Sequence, residues 1–393
     1  MINGMVFDAI PLSLEPAMPL SHLDPRIIAA PGEIATIWQS LPQNHVCGPA
    51  QSEDWVSLWQ STVNPDCLLA CLYAGEMPVF VLPLEISRSG PFRIAAYPGG
   101  PHANCNFPVV SPAHPVSPGE LNRLFAALHQ VRPDIDLVML ERQLPLLDGC
   151  TNPLLHLPNR ENANISLAIT LDHSFQTVLE RHNAKRKKKK HRNSIGKFAE
   201  AGGYRIVTAT VPSETDAMLE NYLANKAEKF ARSGIRNTFE PEEIQRFFRQ
   251  LFARHAAKEQ PLFQLKAVEV AGRFRAVLGK SRARTQTFID FIGIAEDDMS
   301  NASPGEFLFF EDIQDSCNTD LAFYSFGVGD EPYKRNWCDV ETRLYDTQHS
   351  LTAKGYACAA YRTARGTLVR TVKRNDRLWA TVKKLRSRLF GRA

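Results

Sequence analysis

Two stretches of this chain share one strand–turn–strand grammar about half its length apart. LLACLYAGEMPVFVLPLEISR overlays LFQLKAVEVAGRFRAVLGKSR with Ala74-Gly75 falling on Ala271-Gly272, an offset of 197 residues. A glycine turn between apolar runs is a common signal taken alone. Here a helical stretch precedes each hairpin and a third strand follows it. Before the first hairpin, Ser52-Glu-Asp-Trp-Val-Ser-Leu-Trp59 opens on a capping serine and sets Trp55, Leu58 and Trp59 at i, i+3, i+4. Strand-like Phe92–Tyr97, helical Pro118–Gln130 and strand-like Asp136–Glu141 follow it. The second copy begins with a basic helical stretch over Phe175–Gly202, then helices over Ser213–Ser233 and Pro241–Lys258. Its third strand is Thr285–Ala295, ahead of a helix at Ser303–Cys317 and a strand at Leu321–Phe326. The 393 residues therefore read as two copies of one α/β unit, consistent with about 150 residues per domain. Residues 1–30, Pro-rich and aperiodic, read as an extension.

The net charge of +4 conceals an asymmetry. Residues 362–393 hold eleven Lys/Arg and one acid, Asp376, leaving 35 basic against 41 acidic residues in the remainder. A second packet, Arg181–Arg192, has eight Lys/Arg and no acid. Such packets suit anionic partners. The first reads as a basic amphipathic helix with Leu368, Val372, Leu378, Trp379, Val382, Leu385 and Leu389 among its cations. That pattern fits an anionic membrane surface or acidic partner, or packing on the body with snorkelling Lys and Arg. The second lacks interleaved aromatics and any nucleic-acid module signature, so a solvated face or phosphate-attracting rim explains it better than nucleic acid.

No run approaches the roughly 18–20 apolar residues of a membrane span, and the N-terminus makes a poor signal peptide. Eight cysteines occur without a CxxC, and the histidines without HxH or HxxxH spacing. Cys67 and Cys71 share one face of a strand and read as core thiols. The expectation is a soluble, reduced, metal-free cytoplasmic protein.

Three segments can carry chemistry. Ser303-Pro304-Gly305-Glu306 reads as a capping box opening a helix after a strand. Gly305 leaves the terminal N–H groups approachable, which suits phosphate; the plainer alternative is a well-capped helix. Phe326-Gly-Val-Gly-Asp-Glu-Pro-Tyr-Lys-Arg335 crowds Asp330, Glu331, Tyr333, Lys334 and Arg335 at the end of a strand, where α/β sheets place ligands; it is otherwise a polar turn. Asp290 interrupts an apolar strand and faces either solvent or a cleft, where it accepts a proton.

The order hairpin, strand, Ser303-Pro304-Gly305, helix, strand, Phe326-Gly-Val-Gly-Asp-Glu-Pro-Tyr-Lys-Arg335 resembles the CelD-like proteins of bacterial cellulose and exopolysaccharide biosynthesis, which are GNAT-type acyltransferases. Asn183 and Arg186 leading to Gly202-Gly203, and Trp55 with Trp59, are also similar to that family. The resemblance spans roughly 31–350. It implies an α/β fold of two tandem GNAT-like domains, mixed sheets flanked by helices, as in Fem-type transferases, plus a basic C-terminal helical tail. The boundaries are an extension at 1–30, an N-terminal domain at 31–165, a C-terminal acyl-CoA domain at 166–350 and the tail at 351–393. Ordinary GNAT enzymes hold the CoA pyrophosphate on an Arg/Gln-x-x-Gly-x-Gly/Ala turn; here Ser303-Pro304-Gly305 stands in its place.

The implied cosubstrate is acetyl-CoA or another acyl-CoA, with no metal, and the acceptor bears an amine or a hydroxyl, sugar-related acceptors included. Ser303, Pro304, Gly305 and Lys334 would bind the donor. Asp290 or Asp330 would act as base and Tyr333 as acid to the leaving thiolate. The alternative is a catalytically weak GNAT-fold subunit docking at a membrane-bound polysaccharide synthase complex through its tail. The expected location is cytoplasmic, at or near the inner membrane.

Overall fold

The computed structural model describes residues 22–29 and 31–374. In the first half the elements are β1 (Asp24–Ile28), α1 (Ile34–Ser40), α2 (Glu53–Thr62), β2 (Cys67–Ala74), β3 (Met77–Ser89), β4 (Phe92–Ala96) and β5 (Val109–Val110). They continue with α3 (Pro118–Val131), β6 (Leu137–Gln143), the short pair β7 (Leu146–Leu147) and β8 (Cys150–Thr151), and β9 (Asn159–Thr170). The second half adds α4 (Phe175–Glu180), α5 (Ala184–Glu200), β10 (Tyr204–Thr208), α6 (Pro212–Ser233), α7 (Glu242–Ala256), β11 (Phe263–Val270), β12 (Arg273–Arg282) and β13 (Gln286–Ile294). It closes with α8 (Pro304–Ser316), β14 (Phe323–Val328), α9 (Pro332–Arg335), β15 (Val340–Ser350) and α10 (Ala353–Arg374).

The anticipated repeat is present, in a different register. The two hairpin loops are Gly75-Glu76 and Ala271-Gly272, and each hairpin carries a bulge, at Leu72/Tyr73 and at Val268/Glu269, 196 residues apart rather than 197. The one-residue difference matters because side chains alternate faces along a strand. Strands β2 and β3 are buried on both faces, which is why they read as continuous apolar runs.

The two copies do not form separate sheets. The order is β1-β2-β3-β4-β6-β15-β9-β14-β13-β12-β11-β10, with β5 on β3. Strand β15, from the second half, lies against β6 of the first half, while β9 of the first half lies against β14 of the second. Each half thus completes the other's sheet, and the expected boundary at 165/166 falls inside β9. An aromatic cluster fastens the halves a second time: Trp55 and Trp59 of α2 meet Phe247 of α7 edge-on at 4.9 and 5.0 Å.

Other expectations shift. The extension contains β1, paired with β2; its polar, Pro-containing sequence hides an edge strand. Residues 1–21 lie outside the described residues. The basic stretch 175–202 is two helices, broken where Asn183 takes a left-handed conformation (φ 60°) and its side chain caps Arg186 N–H. In the tail, α10 is described to Arg374, and Leu378, Trp379, Val382, Leu385 and Leu389 lie outside the described residues. All eight cysteines are free thiols. Among the described residues no helix is long and apolar enough to cross a membrane, and no cluster of His, Cys, Asp and Glu is arranged to hold a metal.

Candidate active site

Strands β13 and β14 run parallel and pair only over Gln286–Phe288 and Phe323–Ser325. Beyond those residues they diverge. The gap holds an outer cleft of ≈ 580 Å³ between the end of β13, the start of α8, α6 and α9. An inner chamber of ≈ 240 Å³ runs under α6 to the loop at Pro101–Asn104 of the first half. Lys226, Ile292 and Tyr333 line both, so the two spaces meet there.

Ser303, Pro304 and Gly305 line the outer cleft, at the first turn of α8. The expected capping box is not formed. Ser303 is left-handed (φ 55°, ψ 52°) and its side chain caps nothing, while Glu306 turns away to pair with Lys190. The same tetrapeptide, Ser117-Pro118-Gly119-Glu120, opens α3 in the first half, and there the box is complete. Ser117 Oγ accepts from Glu120 N–H at 3.3 Å and Glu120 Oε2 accepts from Ser117 N–H at 2.7 Å. Gly305 also differs from the expectation of an open approach. A Cβ there would lie 2.4 Å from Ile294 Cδ1, so this glycine lets α8 sit hard against β13. The result is a helix N-terminus without a side-chain cap that faces a cleft, the arrangement that favours a bound anion.

Asp290 lies in the wall of the inner chamber. It occupies a bulge: Gly279 and Lys280 of β12 face Phe291 and Ile289, leaving Asp290 as the extra residue. Bulges re-aim side chains, which is how a carboxylate arises in an otherwise apolar strand. Ser281 Oγ–H donates to Asp290 Oδ1 at 2.9 Å. Loss of solvation pushes the Asp290 carboxyl up to about 7, with the Ser281 hydrogen bond opposing the shift.

The other named residues separate. Asp330 lies outside the lining of both spaces, in a two-point pair with Arg335 (2.6 and 3.0 Å) that holds its carboxyl below the usual range. Tyr333 lines both spaces, stacks on Phe309 at 5.9 Å, and is pushed up by burial, so it stays a phenol. Lys334 lines the inner chamber but is engaged: its Nζ donates to Val328 O at 2.9 Å and pairs with Glu331 at 2.8 Å, strapping α9 to the end of β14.

The basic helix α5 packs one face against α8, beside Glu306, Phe307 and Phe310. Lys187 is buried with Nζ 3.3 Å from the Trp337 ring centroid, and His191 stacks on Phe307 and Phe310. Lys185, Arg186, Lys188, Lys189 and Arg192 face outward.

Several lining residues escaped sequence reasoning. Tyr222 and Lys226 follow Thr215, Met218 and Leu219 along the buried stripe of α6. A lysine continuing an apolar stripe was the available signal. His102 comes from the first half: its ring Nε2 lies 3.1 Å from Thr238 O, and burial holds it neutral, down to about 4. Nothing local in the sequence links His102 to α6.

Residues 185–335 match the acetyltransferase (GNAT) domain family. No curated protein sequence matches the chain. Among solved structures, the chain resembles FemX (10% identity, 81% of this chain and 95% of that one, TM-score 0.55). It also resembles the C-terminal domain of a putative lysylphosphatidylglycerol synthetase from Agrobacterium fabrum (12% identity, 85% and 97% covered, TM-score 0.50). These likenesses concern the fold. Within that fold residues 185–335 carry a GNAT acetyltransferase domain, which makes this chain an acyltransferase.

Proposed function

We propose that the protein transfers an acyl group from acyl-CoA, acetyl-CoA in the simplest case, to an amine or hydroxyl in bacterial cellulose or exopolysaccharide biosynthesis. The observation that carries the CoA assignment is the α8 N-terminus, which lacks a side-chain cap and opens on a cleft that meets the chamber lined by Asp290. The polysaccharide setting rests on the CelD-like residue pattern. The backbone N–H groups at Gly305 and Glu306, with Lys229 across the cleft, suit the phosphates of the donor, and the apolar wall at Ile292 and Ile294 suits its pantetheine arm.

In this reading the acceptor sits in the inner chamber and attacks the thioester where the two spaces meet. Asp290 takes the acceptor's proton; a base near 7 is matched to that task at neutral pH. Backbone N–H groups in the β13/β14 gap stabilise the oxyanion. Tyr333, held as a phenol, protonates the departing thiolate. Asp290 serves as base rather than Asp330, whose carboxylate is tied to Arg335 outside the chamber. Thiol release from acetyl-CoA in the presence of acceptor amines tests this. Asp290→Asn is expected to lower turnover by roughly 10²–10⁴ with little change in donor affinity; unchanged turnover would remove Asp290 from the mechanism.

A second reading concerns location. Tyr356 and Tyr361 of α10 are 69% and 65% exposed on the helix that leads into residues 362–393. Exposed aromatics among cations suit docking at an anionic membrane or a synthase complex. Vesicle binding that falls with salt and disappears on deleting 362–393 is the expected behaviour.

A further inference from the structure

Tyr222 and Lys226 stand one turn apart on α6 and both line the inner chamber. Tyr222 is 1% exposed, and its ring stacks on Phe291 at 4.1 Å. Gly293 makes room for it, since a Cβ there would come within 2.7 Å of Tyr222 Cδ2. Its hydroxyl is buried with no hydrogen-bond partner. A buried orphan hydroxyl is costly and uncommon. Lys226 lies 5.6 Å from that ring and has no carboxylate partner among the described residues. The chamber's other cation, Lys334, is already neutralised by Glu331.

We propose that Tyr222 and Lys226 form the binding site for an oxyanion, carboxylate or phosphate, carried by the acceptor molecule. This rests on the acyltransferase reading and names its acceptor class. The orphan O–H and the unpaired ammonium are both donors. Asp290 lines the same chamber, next to the Phe291 that stacks on Tyr222, and supplies an acceptor atom for the nucleophile. The chamber therefore fits a molecule that carries an anionic group as well as its reacting amine or hydroxyl. The donor's phosphates have their own place at α8, so they do not account for Tyr222. Burial, with Lys229 nearby, pulls the Lys226 ammonium down to about 8; an arriving anion offsets that loss of solvation.

The test compares matched acceptors with acetyl-CoA as donor: glucosamine 6-phosphate against glucosamine, and lysine against cadaverine. In the native protein the anionic member of at least one pair is expected to show a KM lower by about tenfold or more, the scale of one charge-assisted hydrogen bond. The phosphate and carboxylate pairs tell which anion is read. Lys226→Met is expected to abolish the difference while leaving neutral acceptors and the CoA dissociation constant unchanged. Tyr222→Phe, which removes one oxygen, is expected to reduce it. Calorimetric binding of the same acceptors reads the same differences where turnover is too slow to measure. Equal handling of both members of each pair overturns the proposal. So does a Lys226→Met variant that loses CoA affinity in step, because Lys226 then serves the donor. A native protein that binds no CoA contradicts the acyltransferase reading itself, and acceptor binding to the CoA-free protein then decides the oxyanion site separately.

Discussion

The sequence Ser-Pro-Gly-Glu opens a helix in each half, and the two copies do opposite things. At α3 it forms a closed capping box, with Ser117 extended (φ −83°, ψ 159°). At α8 the same residues leave the helix end without a side-chain cap, because Ser303 is turned left-handed by the preceding 3-10 turn at Ser300–Ala302 and Glu306 is drawn off by Lys190. The strands beside them differ in the same sense. In the first half the gap between β4 and β6 is filled by the chain itself: Asn106 N–H donates to Arg142 O and Asn106 O accepts from Leu144 N–H, both at 3.0 Å. In the second half the corresponding gap is the cleft. One copy closes its polar groups on itself, and the other leaves them open to the cleft.

The two halves should respond differently to substitution. The largest effect is expected at Asp290. Its base form prevails only above about 7, so activity should rise through that pH and level off, and Asp290→Asn should remove the rise. Stability carries the opposite sign. The folded protein holds this proton to higher pH than the unfolded chain does, so stability should fall as pH climbs from the ordinary aspartate range to about 7. In urea melts the Asp290→Asn variant should lack that component.

A smaller effect separates the two glycines. Gly305→Ala forces a methyl against Ile294 and is expected to cost about 1–3 kcal/mol, as overpacking does. Gly119→Ala meets only Ser117 Oγ at 3.9 Å and should be neutral within about 1 kcal/mol. Equal effects in thermal melts would remove the packing distinction. Smaller again is the cap. Ser117→Ala should cost about 1 kcal/mol, whereas Ser303→Ala, which loses no cap, should change stability by less than about 0.5 kcal/mol.

Local chemistry made part of this legible. The hairpins, the helices around residues 118, 212 and 242, and the strands on either side of α8 follow from apolar periodicity and turn residues. Gly305 and Asp290 stood out as exceptions to those patterns. What escaped was set by contacts distant in sequence. The exchange of β9 and β15 joins residues about 170 apart, such as Ala168 and Val340. The conformation of Ser303 depends on what packs around it, as the identical Ser117 shows. His102 reaches the chamber only through the join between the halves. Lys226 was visible as a cation on an apolar stripe, but its isolation emerges only with the whole chamber assembled.

The proposed function requires that the α8 end without a side-chain cap, and not the capped α3 end, receives the anionic donor. Calorimetric titration of acetyl-CoA into the native protein, Ser303→Asp and Ser117→Asp tests it directly. A carboxylate at position 303 repels phosphate while remaining compatible with a helix start. The expected result is one site per chain in the native protein and in Ser117→Asp, with affinity lowered about tenfold or more in Ser303→Asp. Undiminished binding by Ser303→Asp, or equal losses in both variants, would contradict it.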